Sequence, residues 1–428
     1  MSKPLVIIES PFPTQSGYGK RSVDVISALI DLYPNWDIKL VPLTWGATPQ
    51  NALDDSNPKH KKILDRIFRE RELKQQPDIH IQITIANECR PLGKYNILIT
   101  AGIETDIVSP SWIVGANKMN LILTSSNHSK NGFVNATYNK MDQHTKQIVE
   151  QLKFQTQIDT LFEGFDTDIF FKTDKISDNI NNTLNEIESD FNFLFVGHWL
   201  NGELGHDRKD VGMLCYTFLH TFKTLDENVK LPGLILKTQG ASPSTIDKEQ
   251  ITTKINTIID KIKTQYPTHI LPNIYLLHGE LSDEELNGLY NHNKVKTYIS
   301  FTKGEGWNRT PLEFSSTNKP IMISDWSGHL DYLNPLGCTL LKGELKQVHP
   351  TVVWKDVIEG NSKWFYVDYK NASEKMIDIF EHYDKYLNKA RQQKNKEFTM
   401  EKMKERIKFL FDKYIPKELL AEEIELYL

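Results

Sequence analysis

Short apolar runs alternate along the chain with longer stretches whose apolar positions recur every three or four residues. The first runs, at residues 5–8, 37–43, 79–85, 96–100 and 120–124, have strand length. Between them, residues 21–32 place Val23, Ile26, Leu29 and Ile30 at the helical period. Strands alternating with helices in this way predict parallel α/β sheets.

The pattern lapses at residues 172–190, a polar stretch with few groups to bury, and restarts with runs at 193–196, 234–237, 274–277, 295–300 and 320–324. From about residue 373 the chain reads as helical, with Phe398, Met403, Ile407 and Leu410 as its buried stripe. The expected organisation is a Rossmann-like domain over 1–170, a linker or polar excursion over 171–190, a second over 191–372, and helices over 373–428 that can cross back to the first domain. A chain of 428 residues accommodates this, since domains run to roughly 100–200 residues. No repeat with a period of about 20–50 residues is present.

Composition narrows the functional classes. Lys plus Arg number 51 against 56 Asp plus Glu, a net charge of −5, which does not suit a protein that coats nucleic acid. With 39% apolar residues the chain can bury a large core. No run reaches the ~18–20 apolar residues of a membrane span. The N-terminus enters a strand-like run without a basic or apolar leader, so no signal peptide is expected. Cys89, Cys215 and Cys338 lie far apart, unlike a disulfide framework or a zinc cluster. A soluble, cytoplasmic protein is the expectation.

In open α/β sheets ligands bind at the carboxyl ends of strands, so the loops there are the places to read. After the first run, Gly17 and Gly19 precede a helix whose exposed amides can face an anion; an ordinary turn explains them equally well, and no dinucleotide or P-loop fingerprint is present. After the run at 295–300 comes Lys303-Gly304-Glu305-Gly306-Trp307-Asn308-Arg309-Thr310-Pro311-Leu312-Glu313. Two glycines beside a carboxylate at a strand end are no helix signal, and such a carboxylate can accept paired hydrogen bonds from vicinal hydroxyls. Glu313 also has a structural explanation, because Thr310-Pro-Leu-Glu313 has the form of a capping box, as does Ser282-Asp-Glu-Glu285. The loop after 193–196 carries His198, His206, Asp207, Arg208 and Lys209. Arg208 and Lys209 oppose the helix dipole unless an anion sits there, and Lys237 can add charge to the same crevice. A metal site at His198, His206 and Asp207, or at Asp166 and Asp168, is disfavoured by spacing and by the turn propensity of Asp. Residues 59–74, basic with an apolar face, suit a solvated helix on the first sheet better than a membrane-surface helix.

These segments resemble a known family. Gly304-Glu305-Gly306-Trp307 through Pro311-Leu-Glu313-Phe resembles the E-x7-E segment of retaining GT-B glycosyltransferases of the family-4 type (glycosyl transferases group 1). The segments from Gly279 to Tyr290 and from Lys319 to Gly328 resemble those flanking that motif. Glu163-Gly-Phe-Asp-Thr-Asp-Ile-Phe resembles the family's interdomain turn, and Phe398-Thr-Met-Glu401 the start of its last helical region. Glu104-Thr-Asp106 and Ser109-Pro-Ser-Trp112 resemble an N-terminal loop of some members.

The resemblance implies two Rossmann-like, doubly wound parallel-sheet domains facing a cleft, with a UDP- or GDP-sugar donor held mostly by the second and no cofactor required. It implies that Glu305 binds donor-sugar hydroxyls, Glu313 the nucleotide ribose and Lys209 the pyrophosphate. Gly306 and Trp307 accompany Glu305 at the donor, and Gly17 and Gly19 match a loop that closes on the phosphates. His198 stands where the family has an arginine, so that part of the clamp is missing or is supplied by Arg208. Glu104 occupies about the place of the family's N-terminal histidine, which makes it a catalytic candidate beside Glu305. The expected reaction moves a sugar to an acceptor hydroxyl of a glycan, lipid or small molecule, with retention and without a metal. Rival readings are transfer to DNA bases and a nucleotide-sugar-binding protein without activity. A dehydrogenase is weaker, for want of the fingerprint.

Overall fold

The computed structural model describes residues 3–46, 48–142, 144–145, 147–199, 202–240 and 243–420. The chain divides into two units, one of Met1–Gly164, Lys355–Val357 and Thr399–Leu428, the other of Phe165–Trp354 and Ile358–Phe398.

The first unit holds strands β1 (Leu5–Ser10), β2 (Asp37–Pro42), β3 (Ile79–Ile83), β4 (Tyr95–Thr100), β5 (Leu121–Thr124), the hairpin β6 (Thr137–Met141) and β7 (Ile148–Lys153), and β8 (Gln157–Thr160). Six of them form one all-parallel sheet in the order β2-β1-β3-β4-β5-β8. The helices α1 (Gly17–Leu32), α2 (Pro58–Leu64), α3 (Pro110–Ala116) and α4 (Asn127–Val134) follow strands or loops of this unit. α1 starts where the Ser16 hydroxyl accepts from Gly19 N at 2.9 Å, an N-cap bond. Its Val25, Ile26 and Leu29 are buried in the core against Met403, Ile407 and Leu410.

The second unit begins with α5 (Asp178–Asn185), β9 (Asn192–Val196), α6 (Val211–Phe222), β10 (Gly233–Lys237), α7 (Thr245–Gln265), β11 (Ile274–Leu277), α8 (Asp283–Asn291), β12 (Val295–Ser300), α9 (Arg309–Ser315) and β13 (Ile321–Ser324). It continues through β14 (Thr339–Leu341), the antiparallel pair β15 (Gly343–Gln347) and β16 (Lys363–Val367), α10 (Tyr369–Glu381) and α11 (Tyr383–Ala390). Its sheet is all parallel in the order β11-β10-β9-β12-β13-β14, the doubly wound order of a dinucleotide-type fold. The order reverses between β9 and β12, which opens a crevice at their carboxyl ends.

Four expectations change. The polar excursion at 171–190 contains α5, whose Ile180 and Leu184 are buried; one apolar residue per turn suffices to seat a short helix. The helices after 373 divide, α10 and α11 belonging to the second unit and α12 (Met400–Tyr414) and α13 (Lys417–Leu420) to the first. Phe398 is therefore not part of the α12 stripe and packs with Trp307 and Tyr332 instead, at centroid distances of 5.7 and 6.0 Å. The basic segment at 59–74 is helical only over α2, and Ile67 bridges to Leu40 beyond it.

Candidate functional site

The loops after β9 and β12 meet at the reversal point of the second sheet. Glu305 Oε2 lies 2.7 Å from Arg208 Nη1, and its Oε1 accepts from Lys209 Nζ and, at 2.6 Å, from Thr302 Oγ1. Arg208 Nη1 also donates to Gly304 O at 2.9 Å. The backbone around the carboxylate is held from the loop after β13: Glu305 N donates to Ser327 Oγ at 3.0 Å and Gly328 N to Glu305 O at 2.9 Å. Gly328 must be glycine for this approach, because a Cβ there would stand 2.1 Å from Gly306 O. Glu305 is 6% exposed. Burial by itself raises a carboxyl pKa, but Lys209 and then Arg208, with the hydrogen bonds from Lys209 and Thr302, bring Glu305 down to about 2. It is a carboxylate at every physiological pH.

Beneath this layer lies a second ion pair that sequence reading missed. Lys303 Nζ is 2.6 Å from Asp210 Oδ1, and both side chains are fully buried. Lys303 also donates to Asp207 O at 3.0 Å, and Tyr369 Oη to Asp210 Oδ2 at 2.7 Å. Lys303 N bonds Arg208 O at 2.8 Å, so the loop with the two basic residues and the loop with Glu305 are joined by backbone as well as by charge. Asp207 is raised to about 6 by burial and by Asp210, against the pull of Lys303. The left-handed backbone of Asp210 (φ 54°) turns the chain into α6. A lysine beside a glycine pair and an aspartate at a helix start were visible signals, though neither has a spacing that announces the pair.

Lys237, at the end of β10, donates to Gly279 O; its pKa is lowered by burial, partly offset by Glu280. His198 bonds Gly240 O at 3.0 Å, and burial followed by Lys209, Lys237 and Arg208 holds its pKa below the ordinary value. The three cations are thus gathered around His198. Glu313 is buried on α9 with Arg309 Nε 3.6 Å away. The expected capping box does not form: α9 starts after Asn308, in a left-handed conformation (φ 74°), and Thr310 Oγ1 lies 2.8 Å from Tyr298 Oη. At Ser282 and Glu285 the box is present. Trp307 is 2% exposed and packed on Tyr332 at 4.9 Å, a wall of the loop rather than an open face. Asp166 Oδ1 accepts from Asp168 N at 2.9 Å, as in a turn. Among the described residues no group of three His, Cys, Asp or Glu side chains is placed to hold a metal ion, and no helix is long and apolar enough to cross a membrane.

Gly17, Gly19 and Glu104 belong to the first unit. Tyr18 Oη is 2.9 Å from Thr100 Oγ1 and accepts from Ala101 N at 3.1 Å, and its ring stacks on Trp45 at 4.2 Å. This ties the start of α1 to the loop after β4 that carries Glu104, a half-buried residue. The two glycines differ. A Cβ on Gly19 would fall 2.0 Å from Thr14 O, whereas one on Gly17 meets nothing within 4 Å. Gly19→Ala should cost about 1–3 kcal/mol, the range for overpacking, while Gly17→Ala should be neutral or slightly stabilising through helix propensity. Melting temperatures of the two variants check this, and equal values would remove the steric account of Gly19.

No family model matches the chain, and no curated protein matches it in sequence. Solved structures do. A glycosyltransferase from Rickettsia africae aligns with a TM-score of 0.60 and 13% identity, over 99% of this chain and 100% of that one. Sucrose-phosphate synthase from Thermosynechococcus elongatus aligns at 0.58 and 10%, over 96% and 98%. HepE of Anabaena, solved in complex with UDP and glucose, aligns at 0.56 and 10%, over 96% and 100%. At such identities the likeness establishes the fold, and the fold of this chain is GT-B: α/β, with two Rossmann-like parallel-sheet domains.

Proposed function

We propose that this protein is a retaining glycosyltransferase that moves a sugar from a UDP- or GDP-sugar to an acceptor hydroxyl. The observation that carries the reading is Glu305, held ionised between Arg208 and Lys209 where the second sheet reverses its order. It joins a buried acceptor of hydroxyl hydrogen bonds to two cations suited to a diphosphate, at the position where such sheets bind ligands. The fold shared with glycosyltransferases supports it.

In this reading Glu305 keeps Lys209 and Arg208 in place before the donor arrives, so that little reorganisation is needed as negative charge develops on the leaving diphosphate. Its oxygens orient the donor sugar, Glu313 takes the ribose, and Lys237, Gly306 and Trp307 complete the donor pocket. Gly17 and Gly19 are assigned to phosphate binding and Glu104 to catalysis, the roles implied by the family resemblance. A donor phosphate oxygen takes the acceptor proton, and catalysis consists of positioning and charge stabilisation. The two cations neutralise the diphosphate, so neither a metal nor a cofactor is assigned a role. Acceptor candidates are a glycan, a lipid or a small molecule, with action in the cytoplasm.

The test is a thermal-shift titration with UDP, GDP, ADP and their sugar conjugates, with and without EDTA. One nucleotide diphosphate at 100 times its dissociation constant should stabilise the protein by ~2.7 kcal/mol. Lys209→Ala should weaken that binding by roughly ten- to a hundredfold, the loss of a charge-assisted contact. Equal affinity in the variant would remove Lys209 from the phosphate site, and donor binding without transfer to any acceptor would favour a non-catalytic binder.

A further inference from the structure

A cavity of about 560 Å³ lies at the β14 edge of the second unit, between that strand, the 3-10 turn Gly328–Asp331 and helices α10 and α11. Its volume is within the range of small-molecule sites. Leu330, Leu333 and the buried Cys338 form part of its apolar wall, and Lys342, Lys375 and Lys389 also line it, with Asp325 as the single acid of the lining. Lys342 lies between β14 and β15, Lys375 on α10 and Lys389 on α11. None has an ion-pair partner among the described residues; Lys389 donates to a backbone oxygen, Cys338 O, at 2.7 Å. Burial, with repulsion by Lys375 and Lys385 and against the opposing influence of Cys338, lowers the pKa of Lys389 from its ordinary value. An amphipathic lining with uncompensated positive charge is complementary to an organic anion.

We propose that this cavity binds a phosphorylated small molecule, its phosphate against Lys342, Lys375 and Lys389 and its organic part on Leu330 and Leu333. The site is separate from the donor position, yet the two share the turn after β13: Leu330 lines the cavity, while Ser327 and Gly328 hold the backbone of Glu305. An occupant therefore bears on the segment that positions Glu305, a coupling that rests on the proposed role of that residue, whereas the binding itself does not.

The experiment is calorimetric titration of the full chain with phenyl phosphate, and with inorganic phosphate as the probe lacking an apolar part, in the absence of nucleotide. Phenyl phosphate should bind more tightly than inorganic phosphate. The double variant Lys342→Ala/Lys375→Ala should weaken its binding by roughly tenfold or more, the scale of a charge-assisted contact, while Lys209→Ala leaves it unchanged. Both lysines lie outside the core, and Lys342→Gln alone serves if the double variant fails to fold. Loss of binding in Lys209→Ala with retention in the double variant would place the anion at Glu305 and overturn the proposal. Equal affinity in all proteins, or no binding by the wild type at millimolar concentration, would overturn it as well. Nucleotide affinity that does not change when phenyl phosphate saturates the protein would sink the coupling. Because the anion titration needs no donor, failure of the transferase reading leaves its outcome legible.

Discussion

Glu305→Gln should lower both transfer and stability, by amounts that depend on pH. The amide keeps the shape but not the charge, so Arg208 and Lys209, 16% and 12% exposed at their side chains, lose their ion pairs with Glu305. Removing one partner of a buried pair costs ~3–5 kcal/mol, and the partial exposure of the two bases reduces this to about 2–4 kcal/mol. In its proposed role at the donor sugar, the loss of those hydrogen bonds should lower transfer by roughly ten- to a hundredfold. The pH dependence follows from the direction of the shift. The carboxyl is held at about 2 in the folded chain, below the 4.5 of an ordinary glutamate. The unfolded chain therefore binds more protons between these values, and the stabilisation is full above 4.5 and fades as pH falls towards 2. Urea unfolding of wild type and variant should give a difference that is constant from pH 7 to 5 and narrows below. A difference that is absent at pH 7 would show that the ion pairs contribute nothing net.

Lys303→Met should be the most damaging single change to the second unit. Asp210 has no exposed surface, and Lys303 is its ion-pair partner; with the ammonium gone, the buried side chain loses that partner and keeps the hydrogen bond from Tyr369 Oη. The expected loss is ~3–5 kcal/mol, or roughly 6–20 °C in melting temperature for a domain of this size. Adding Asp210→Asn should recover much of it, since the uncompensated charge rather than the missing contact carries the penalty. The double-mutant cycle reads this as a large coupling between the two positions. If Lys303→Met melts with the wild type, the pair is not a structural requirement. The consequence for function is indirect: Lys303 N holds Arg208 O, so losing the pair loosens the loop that presents Arg208 and Lys209.

Much of the sheet architecture was legible because parallel strands covered on both faces must be continuously apolar. The runs leading to β1, β4, β5, β9, β10 and β13 announce themselves in this way, whereas β3 and β12 mix polar with apolar residues and are marked by their β-branched and aromatic content. β6 and β7 do not, being exposed and mixed in composition, and β14 is only Thr-Leu-Leu. α5 was missed because it seats itself through two buried residues on an otherwise polar surface. At the candidate site Glu305 stood out through its flanking glycines, and Arg208 and Lys209 through their unfavourable place before a helix. The roles of Thr302, Ser327 and Asp210 were not legible, since each depends on a partner distant in sequence or on a backbone conformation. The Thr310 capping box failed for a related reason: Tyr298, on the strand before, lies within hydrogen-bond distance of the hydroxyl that local rules assign to the helix.

Local chemistry, then, determined by itself most of the strands of the two main sheets and the helices between them, and that a carboxylate and two bases would stand at strand ends. Apolar periodicity and glycine placement act over a few residues and need no tertiary context. Only the folded structure decided that residues nearly a hundred positions apart share one charge cluster, and that a lysine and an aspartate are buried as a pair beneath it. The order of strands in the second sheet makes β9 and β12 neighbours, and burial between them turns separate charges into interactions strong enough to set the ionisation of Glu305.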